Sequence, residues 1–177
     1  MKTFQYILVK FLSKTVYKQN RDYINQWFRK QGAQIGMNAH IYSNIAKNEP
    51  HLVRIGNNVT ISGDVELVTH DNSISKVINN ATDLFGRIEI GNNCFVGTRA
   101  IILYGVTIPD DVIVAAGSVV TKSIKDSKVI VAGNPARIIS TWDEFEKKSK
   151  DLAWSLGDVP YEEMVMRTTN GEKLVKR

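Results

Sequence analysis

A disulfide needs two cysteines and this sequence has one, Cys94, so no internal disulfide staples the fold. A lone thiol suits a reducing cytosol, and the chain is read as cytoplasmic. Long apolar runs are also missing. No uncharged apolar stretch approaches the ~18 residues that a membrane-spanning helix requires. Lys10 and Lys14 interrupt the one hydrophobic N-terminal run, Tyr6–Val9, so no signal peptide is read there. Net basic charge is confined to one end. The net charge is +5, yet residues 1–30 hold seven Lys/Arg against a single Asp, which leaves the body close to neutral. That distribution removes the basic face a nucleic-acid-binding domain would need. What is present is 43% apolar residues in 177, enough for the core of one domain and against wholesale disorder.

From Ile90 the sequence reads in sixes: IGNNCF, VGTRAI, ILYGVT, IPDDVI, VAAGSV, VTKSIK. The first position is Ile90, Val96, Ile102, Ile108, Val114 and Val120, aliphatic each time. The fifth is Cys94, Ala100, Val106, Val112, Ser118 and Ile124, small to medium each time. The pattern also runs through Ile55, Ile61 and Leu67, with Val59 and Val65 in fifth place, after a less regular start at Ile35 and Ile41. A period of six matches neither a helix at 3.6 nor a plain alternating ladder. It matches a solenoid of short strands and tight turns, in which each coil rests its aliphatic residues on the next. Positions one and five are an even number apart and face the same side, inward. Gly56-Asn57-Asn58, Gly91-Asn92-Asn93 and Pro109-Asp110-Asp111 supply the turns between them. Three hexapeptides close a triangular coil, and coils stack at about 4.8 Å.

The phase breaks once. Leu67 and Ile90 are 23 residues apart, so residues 71–88 leave the register as an excursion loop. The expected division is an N-terminal helical segment over 1–34, the solenoid over 35–140 and a helical tail over 141–177. In the first segment Phe4, Leu8, Phe11, Ile24, Trp27 and Phe28 recur at roughly helical spacing. Thr141 and Glu144 form a capping-box pattern that opens a charged helix through Lys150. Helices at both ends would cover strand edges left unpaired by the solenoid.

Three pieces together resemble a known family: VTISGDVELVTHDNS with its His70, IGNNCFVGTRAIILYGVTIPDDVIVAAGSVVTKSI, and the closing AGNPARII. Over residues 35–140 the chain resembles the hexapeptide-repeat acyltransferases, most of all the maltose/galactoside type and the sugar O-acetyltransferases of surface-polysaccharide gene sets. The resemblance implies an all-β solenoid, a left-handed parallel β-helix with flanking helices. It also implies a homotrimer with active sites between subunits, acetyl-CoA as cosubstrate and no metal. Handedness comes from the resemblance alone, since general rules favour right-handed crossovers.

The family's general base falls on His70, at the mouth of the excursion, and imidazole suits removal of a hydroxyl proton near neutral pH. The other reading of His70 is a turn histidine without a role, and His40 and His51 are read that way. Asp71 and Glu66 are the candidates to orient the imidazole. Asn44 matches an acceptor-site asparagine of the galactoside type and is equally a plain turn residue; Asp71 and Phe95 complete the proposed acceptor side. Several relatives carry Trp at Phe95, and Phe keeps the aromatic face but loses the indole N–H donor. Tyr104 and Phe85 keep two readings, ordinary packing residues first and partners in that aromatic role second. The family's cofactor positions map to Thr98, Ala116, Thr121, Lys122 and Arg137. Small residues at Ala116 and Gly117 admit the pantetheine arm, and Lys122 and Arg137 face the phosphates. Ser140 stands where the family has a second basic residue. Cys94 occupies an inward fifth position and reads as a small apolar filler, not as a nucleophile.

Two other functions compete with sugar O-acetylation: N-acetylation of an amino sugar nucleotide or xenobiotic, and a non-catalytic scaffold. Metal-dependent β-helices of the carbonic-anhydrase type need three clustered histidines, two of them five residues apart. His40, His51 and His70 are separated by 11 and 19. Residues 1–30 keep two readings. One is a helix whose apolar stripe packs on the first coil; the other is a peripheral contact with an anionic membrane surface through Lys10, Lys14, Lys18 and Arg21.

Overall fold

Short strands follow the hexapeptide phase through a computed structural model that describes residues 2–15, 22–155, 157 and 159–175. The chain divides into two compact units, residues 1–139 and 140–177. In the first, strands visit three parallel faces in rotation. Face I holds β1 (Gln34–Ile35), β3 (Val53–Ile55), β8 (Ile88–Ile90) and β11 (Thr107–Ile108). Face II holds β2 (His40–Ile41), β4 (Thr60–Ile61), β9 (Phe95–Val96), β12 (Val112–Val114) and β14 (Val129–Gly133); β15 (Ala136–Thr141) pairs with β14 at its edge after a two-residue link, too short for a parallel connection. Face III holds β5 (Glu66–Leu67), β10 (Ile101–Ile102) and β13 (Val119–Val120). β6 (His70–Asp71) and β7 (Leu84–Phe85) form a separate antiparallel pair at the base of the excursion.

The strand partners give the length of each coil. Ile90 pairs with Ile108, Val96 with Val114 and Ile102 with Val120, a step of 18 residues. The first step is 20 (Ile35 to Ile55, Ile41 to Ile61), and the step across the excursion is 35 (Ile55 to Ile90, Leu67 to Ile102). First-position aliphatics therefore stack on their own kind, and Ile61, Val96, Ile102, Ile108, Val114 and Val120 are all buried. Fifth positions stack beside them: Val59, Cys94 and Val112 fill one column, Val65, Ala100 and Ser118 another. At the corner between faces I and II an asparagine ladder locks the coils. Asn57 Oδ1 accepts from the Met37 amide, Asn92 Oδ1 from Asn57 and Asp110 Oδ1 from Asn92. Asn58, Asn93 and Asp111 take the left-handed backbone that this corner needs.

α1 (Lys2–Thr15) and α2 (Tyr23–Lys30) precede the first coil. α2 docks through Phe28, which is fully buried. Asn25 Nδ2 donates to the Ala39 carbonyl at 2.7 Å, and Arg29 donates to the carbonyls of Ile35 and Gly36 while pairing with Asp22. These bonds occupy backbone acceptors that the first coil has no preceding coil to satisfy. We expect Phe28→Ala to cost about 3–5 kcal/mol, read as a lower urea midpoint at fixed protein concentration. A loss below about 1 kcal/mol would remove α2 from the core.

α1 corrects the expected packing stripe. Phe4, Leu8 and Phe11 face outward, while Tyr6 and Val9 are buried. The Tyr6 ring packs on Phe28 and Trp27 with centroids 6.0 and 6.2 Å apart. A helix meets a neighbour through one arc, and the arc with the matching aromatic surface took the contact.

In the second unit the capping box is formed: Thr141 Oγ1 accepts from the Glu144 amide and Glu144 accepts from Thr141, opening α3 (Trp142–Ser149). α4 (Tyr161–Thr169) follows, with the Arg167 guanidinium 4.6 Å from the Trp154 ring and paired with Glu172.

Candidate active site

His70 ends face III and begins the excursion, so a half-buried imidazole stands at a corner of the coil rather than in its aliphatic interior. Its Nδ1 lies 2.9 Å from Glu49 Oε2. The same carboxylate oxygen accepts from the Thr69 hydroxyl at 2.5 Å, and Thr69 itself is buried. Burial pushes the Glu49 carboxyl up, but the Thr69 and His70 hydrogen bonds and the imidazole charge outweigh it and hold the group below the ordinary carboxylate range. In return, the hydrogen bond and negative charge of Glu49 raise the His70 pKa above its usual value, with smaller contributions from Asp83 and Asp71. A carboxylate on Nδ1 keeps the proton there and leaves Nε2 as the basic nitrogen.

Glu49 corrects the expected orienting group. Asp71 is held elsewhere, accepting from the Ser73 amide at 2.8 Å and from the Tyr104 hydroxyl at 3.2 Å, and Glu66 pairs with Lys47. Adjacency in sequence does not put Asp71 on the imidazole, because neighbouring strand residues point to opposite sides. The signal that finds Glu49 is the coil itself. In the first step the partner lies 20 residues back, so a residue near position 50 sits beneath His70.

The excursion stands over this corner. His70 pairs directly with Phe85 in the antiparallel register, and their rings are 5.9 Å apart with Phe85 exposed. Gly86 follows where a side chain has no room, because a Cβ there would collide with the Gly105 amide of the next coil. The Asp71–Tyr104 bond ties the other side of the hairpin to the same coil.

The sequence-derived cofactor residues fall on two different corners. Thr98 and Ala116 stack one coil apart between faces II and III, where the Gly117 amide donates to the Thr98 carbonyl at 2.9 Å. Thr98, Ala116 and Gly117 are exposed and small, and a Cβ on Gly97 would sit 2.5 Å from the Ala116 nitrogen. Such a flat, side-chain-poor strip fits a thin chain bonded to backbone. Thr121 and Lys122 lie between faces III and I, the corner that carries His70, and are exposed. Arg137 is exposed on β15 with Nη1 donating to the Ala136 carbonyl, next to a cis Asn134–Pro135 peptide. Ser140 donates to Glu144 at the opening of α3.

Phe95 is exposed on face II between Thr60 and Ile113. Asn44 Oδ1 accepts from the Ala46 amide in a turn, beside a cleft of about 330 Å³ shared with Tyr6, Tyr42, Lys47, Asp64 and Glu66. The contacts around His70 come from Glu49 and Phe85, not from either of these. Cys94 is buried with its thiol pushed up to about 11, chiefly by burial, and donates to the carbonyls of Asn92 and Pro109. It is a core residue, not a nucleophile. Among the described residues no three His, Cys, Asp or Glu gather to hold a metal ion.

The hexapeptide repeat of succinyl-transferase matches residues 87–122. Protein CapG of Staphylococcus aureus is 45% identical over 125 residues, which cover 68% of this chain and 72% of CapG. The chain belongs to the hexapeptide-repeat acyltransferase family. It is similar at 33% identity to galactoside O-acetyltransferase of Escherichia coli K12, over 64% of this chain and 56% of that one. A solved hexapeptide-repeat acetyltransferase of Vibrio cholerae, complexed with acetyl coenzyme A, superposes with a TM-score of 0.54 at 26% identity. That likeness covers 62% of this chain and 60% of the other. As a member of this family the chain is an acyltransferase.

Proposed function

We propose that this acyltransferase moves an acetyl group from acetyl-CoA to a hydroxyl of a sugar or polysaccharide precursor, with His70 as general base. The observation that carries the reading is the Glu49–His70 pair, a basic imidazole nitrogen set by a carboxylate at the rim of the coil. Bound acetyl-CoA supplies a thioester carbonyl activated for attack. Nε2 of His70 takes the acceptor's proton as its oxygen attacks; the C–O bond forms, the C–S bond breaks, and the proton passes to the departing sulfur. Glu49 stabilises the imidazolium while it exists. A backbone amide holds the oxyanion.

The reading extends to a homotrimer of left-handed β-helices with cytoplasmic active sites between subunits. Its support is the split of residues over two corners: Thr98 and Ala116 on one, His70, Thr121 and Lys122 on the other. A ligand lying in a groove between two side-by-side coils would meet one corner from each. In this reading Lys122 and Arg137 meet the phosphates, and Asn44, Asp71 and Phe95 lie on the acceptor side.

Phe85 joins them as the aromatic nearest the base, its exposed face offered to the C–H surface of a sugar ring. We expect Phe85→Ala to raise the KM for the acceptor about tenfold and to leave acetyl-CoA binding unchanged. An unchanged KM would assign Phe85 to the hairpin alone. The decisive experiment for the whole reading is thiol release from acetyl-CoA across a panel of sugars and nucleotide sugars, with mass spectrometry of the product. Transfer only to amino groups, or none to any acceptor, overturns O-acetylation.

A further inference from the structure

We infer that Thr69 is a positioning residue, whose buried hydroxyl clamps the Glu49 carboxylate on His70 and so fixes the imidazole. The inference rests on His70 as general base and adds the group that holds its partner in place. Thr69 is 1% exposed, so no water competes for its hydroxyl. Its oxygen meets Glu49 twice. The Glu49 amide approaches Thr69 Oγ1 at 3.4 Å, and Oγ1 lies 2.5 Å from Glu49 Oε2. An amide N–H can only donate, so the Thr69 oxygen accepts there and directs its one hydrogen to the carboxylate. Glu49 Oε2 is also the oxygen that faces His70 Nδ1 at 2.9 Å. Hydroxyl, carboxylate and ring nitrogen thus share a single oxygen.

The need for a clamp is local. Glu49 lies in the irregular stretch between β2 and β3, just ahead of the tight turn Pro50–Leu52, and its side chain is 27% exposed. A glutamate there keeps its torsional freedom unless a fixed donor holds it. Thr69 is fixed from behind, because its carbonyl accepts from the Gly86 amide at 3.0 Å. It therefore ties Glu49 of the first coil to the returning strand of the excursion, next to Phe85. The clamp matters most before the proton moves. A general base works from neutral imidazole, and a neutral ring offers Glu49 no opposite charge. Burial pushes the Glu49 carboxyl up, and the Thr69 hydrogen bond is the foremost of the groups that bring it below the ordinary range, ahead of those from His70. The hydroxyl thus keeps the carboxylate ionised and aimed. Two other carboxylates face His70. Asp71 on β6 is held by Ser73 and Tyr104, Asp83 precedes β7, and both act on the ring through charge.

The test compares Thr69→Val, which removes the hydroxyl with little change of shape, with Thr69→Ser, which keeps it. Imidazole titration is followed by NMR, with the His70 signal assigned by its loss in His70→Ala, beside the pH profile of thiol release. In Thr69→Val the carboxylate is released from the ring. The expected result is a His70 titration and an acidic limb both moved to lower pH, with kcat down about fivefold. Thr69→Ser is expected to keep the native titration and limb. A titration in Thr69→Val that is unmoved, or moved to higher pH, overturns the inference, because the hydroxyl then holds nothing or merely draws charge from the carboxylate. A Thr69→Ser titration that matches Thr69→Val also overturns it, assigning the residue to packing through its methyl group. Thr69→Ala makes the same comparison if the added methyl of valine unfolds the chain. The titration needs no acceptor, so a chain that releases no thiol loses the catalytic reading alone, while a native titration in Thr69→Val removes the clamp alone.

Discussion

His70→Ala is expected to lower kcat on the order of a hundredfold or more while leaving the Kd for acetyl-CoA unchanged. In the proposed chemistry the imidazole touches the reacting hydroxyl, whereas the acetyl-CoA arm bonds to backbone along Thr98 and Ala116 and its phosphates meet Lys122 and Arg137. Loss of the base should therefore separate cleanly from loss of cofactor binding. Calorimetry with acetyl-CoA and steady-state thiol release on the same preparations make the comparison. A variant that keeps most of its activity, or that loses acetyl-CoA binding in parallel, would remove His70 from the role of base.

The second large effect is expected at Glu49. Glu49→Gln keeps the shape but removes the charge that fixes the imidazole, and kcat should fall by about tenfold or more. The pH profile distinguishes this role from a structural one. The general base works as neutral imidazole, so kcat/KM rises with pH through the pKa of His70 and then levels. That pKa is raised by the Glu49 hydrogen bond and charge. Removing the charge lowers it, so the acidic limb of the profile must move to lower pH even as the plateau drops. An unshifted limb would reduce Glu49 to a residue that merely holds Thr69 and its turn.

Much of the coil was legible because its regularity is local. An aliphatic residue every six positions faces inward in each coil whatever the rest of the chain does, and Ile90, Val96, Ile102, Ile108, Val114 and Val120 are all buried. Cys94 could be set aside as a nucleophile from its phase alone, and burial of its thiol agrees. His70 was legible as the residue at which the phase breaks. Glu49 was not, because it lies in the irregular stretch between β2 and β3, where the coil is 20 residues long and counting by sixes loses the register. Phe85 was one aromatic among several until the hairpin register set it beside the imidazole.

The N-terminal helix shows the same division from the other side. Periodicity establishes that α1 is amphipathic, but a helix with two apolar stripes carries no local mark of which one packs. Tyr6 won the contact because Trp27 and Phe28 offered it a matching aromatic surface, and Phe4, Leu8 and Phe11 were left outside. The sequence by itself determined what repeats: strand positions, inward residues, turns and the place of the excursion, since each depends on near neighbours along the chain. The tertiary structure alone decided what meets across the fold: the carboxylate on His70, the aromatic beside it and the side of α1 that packs. Those contacts join residues 21, 15 and 22 positions apart, His70 with Glu49, His70 with Phe85 and Tyr6 with Phe28, and no local propensity encodes them.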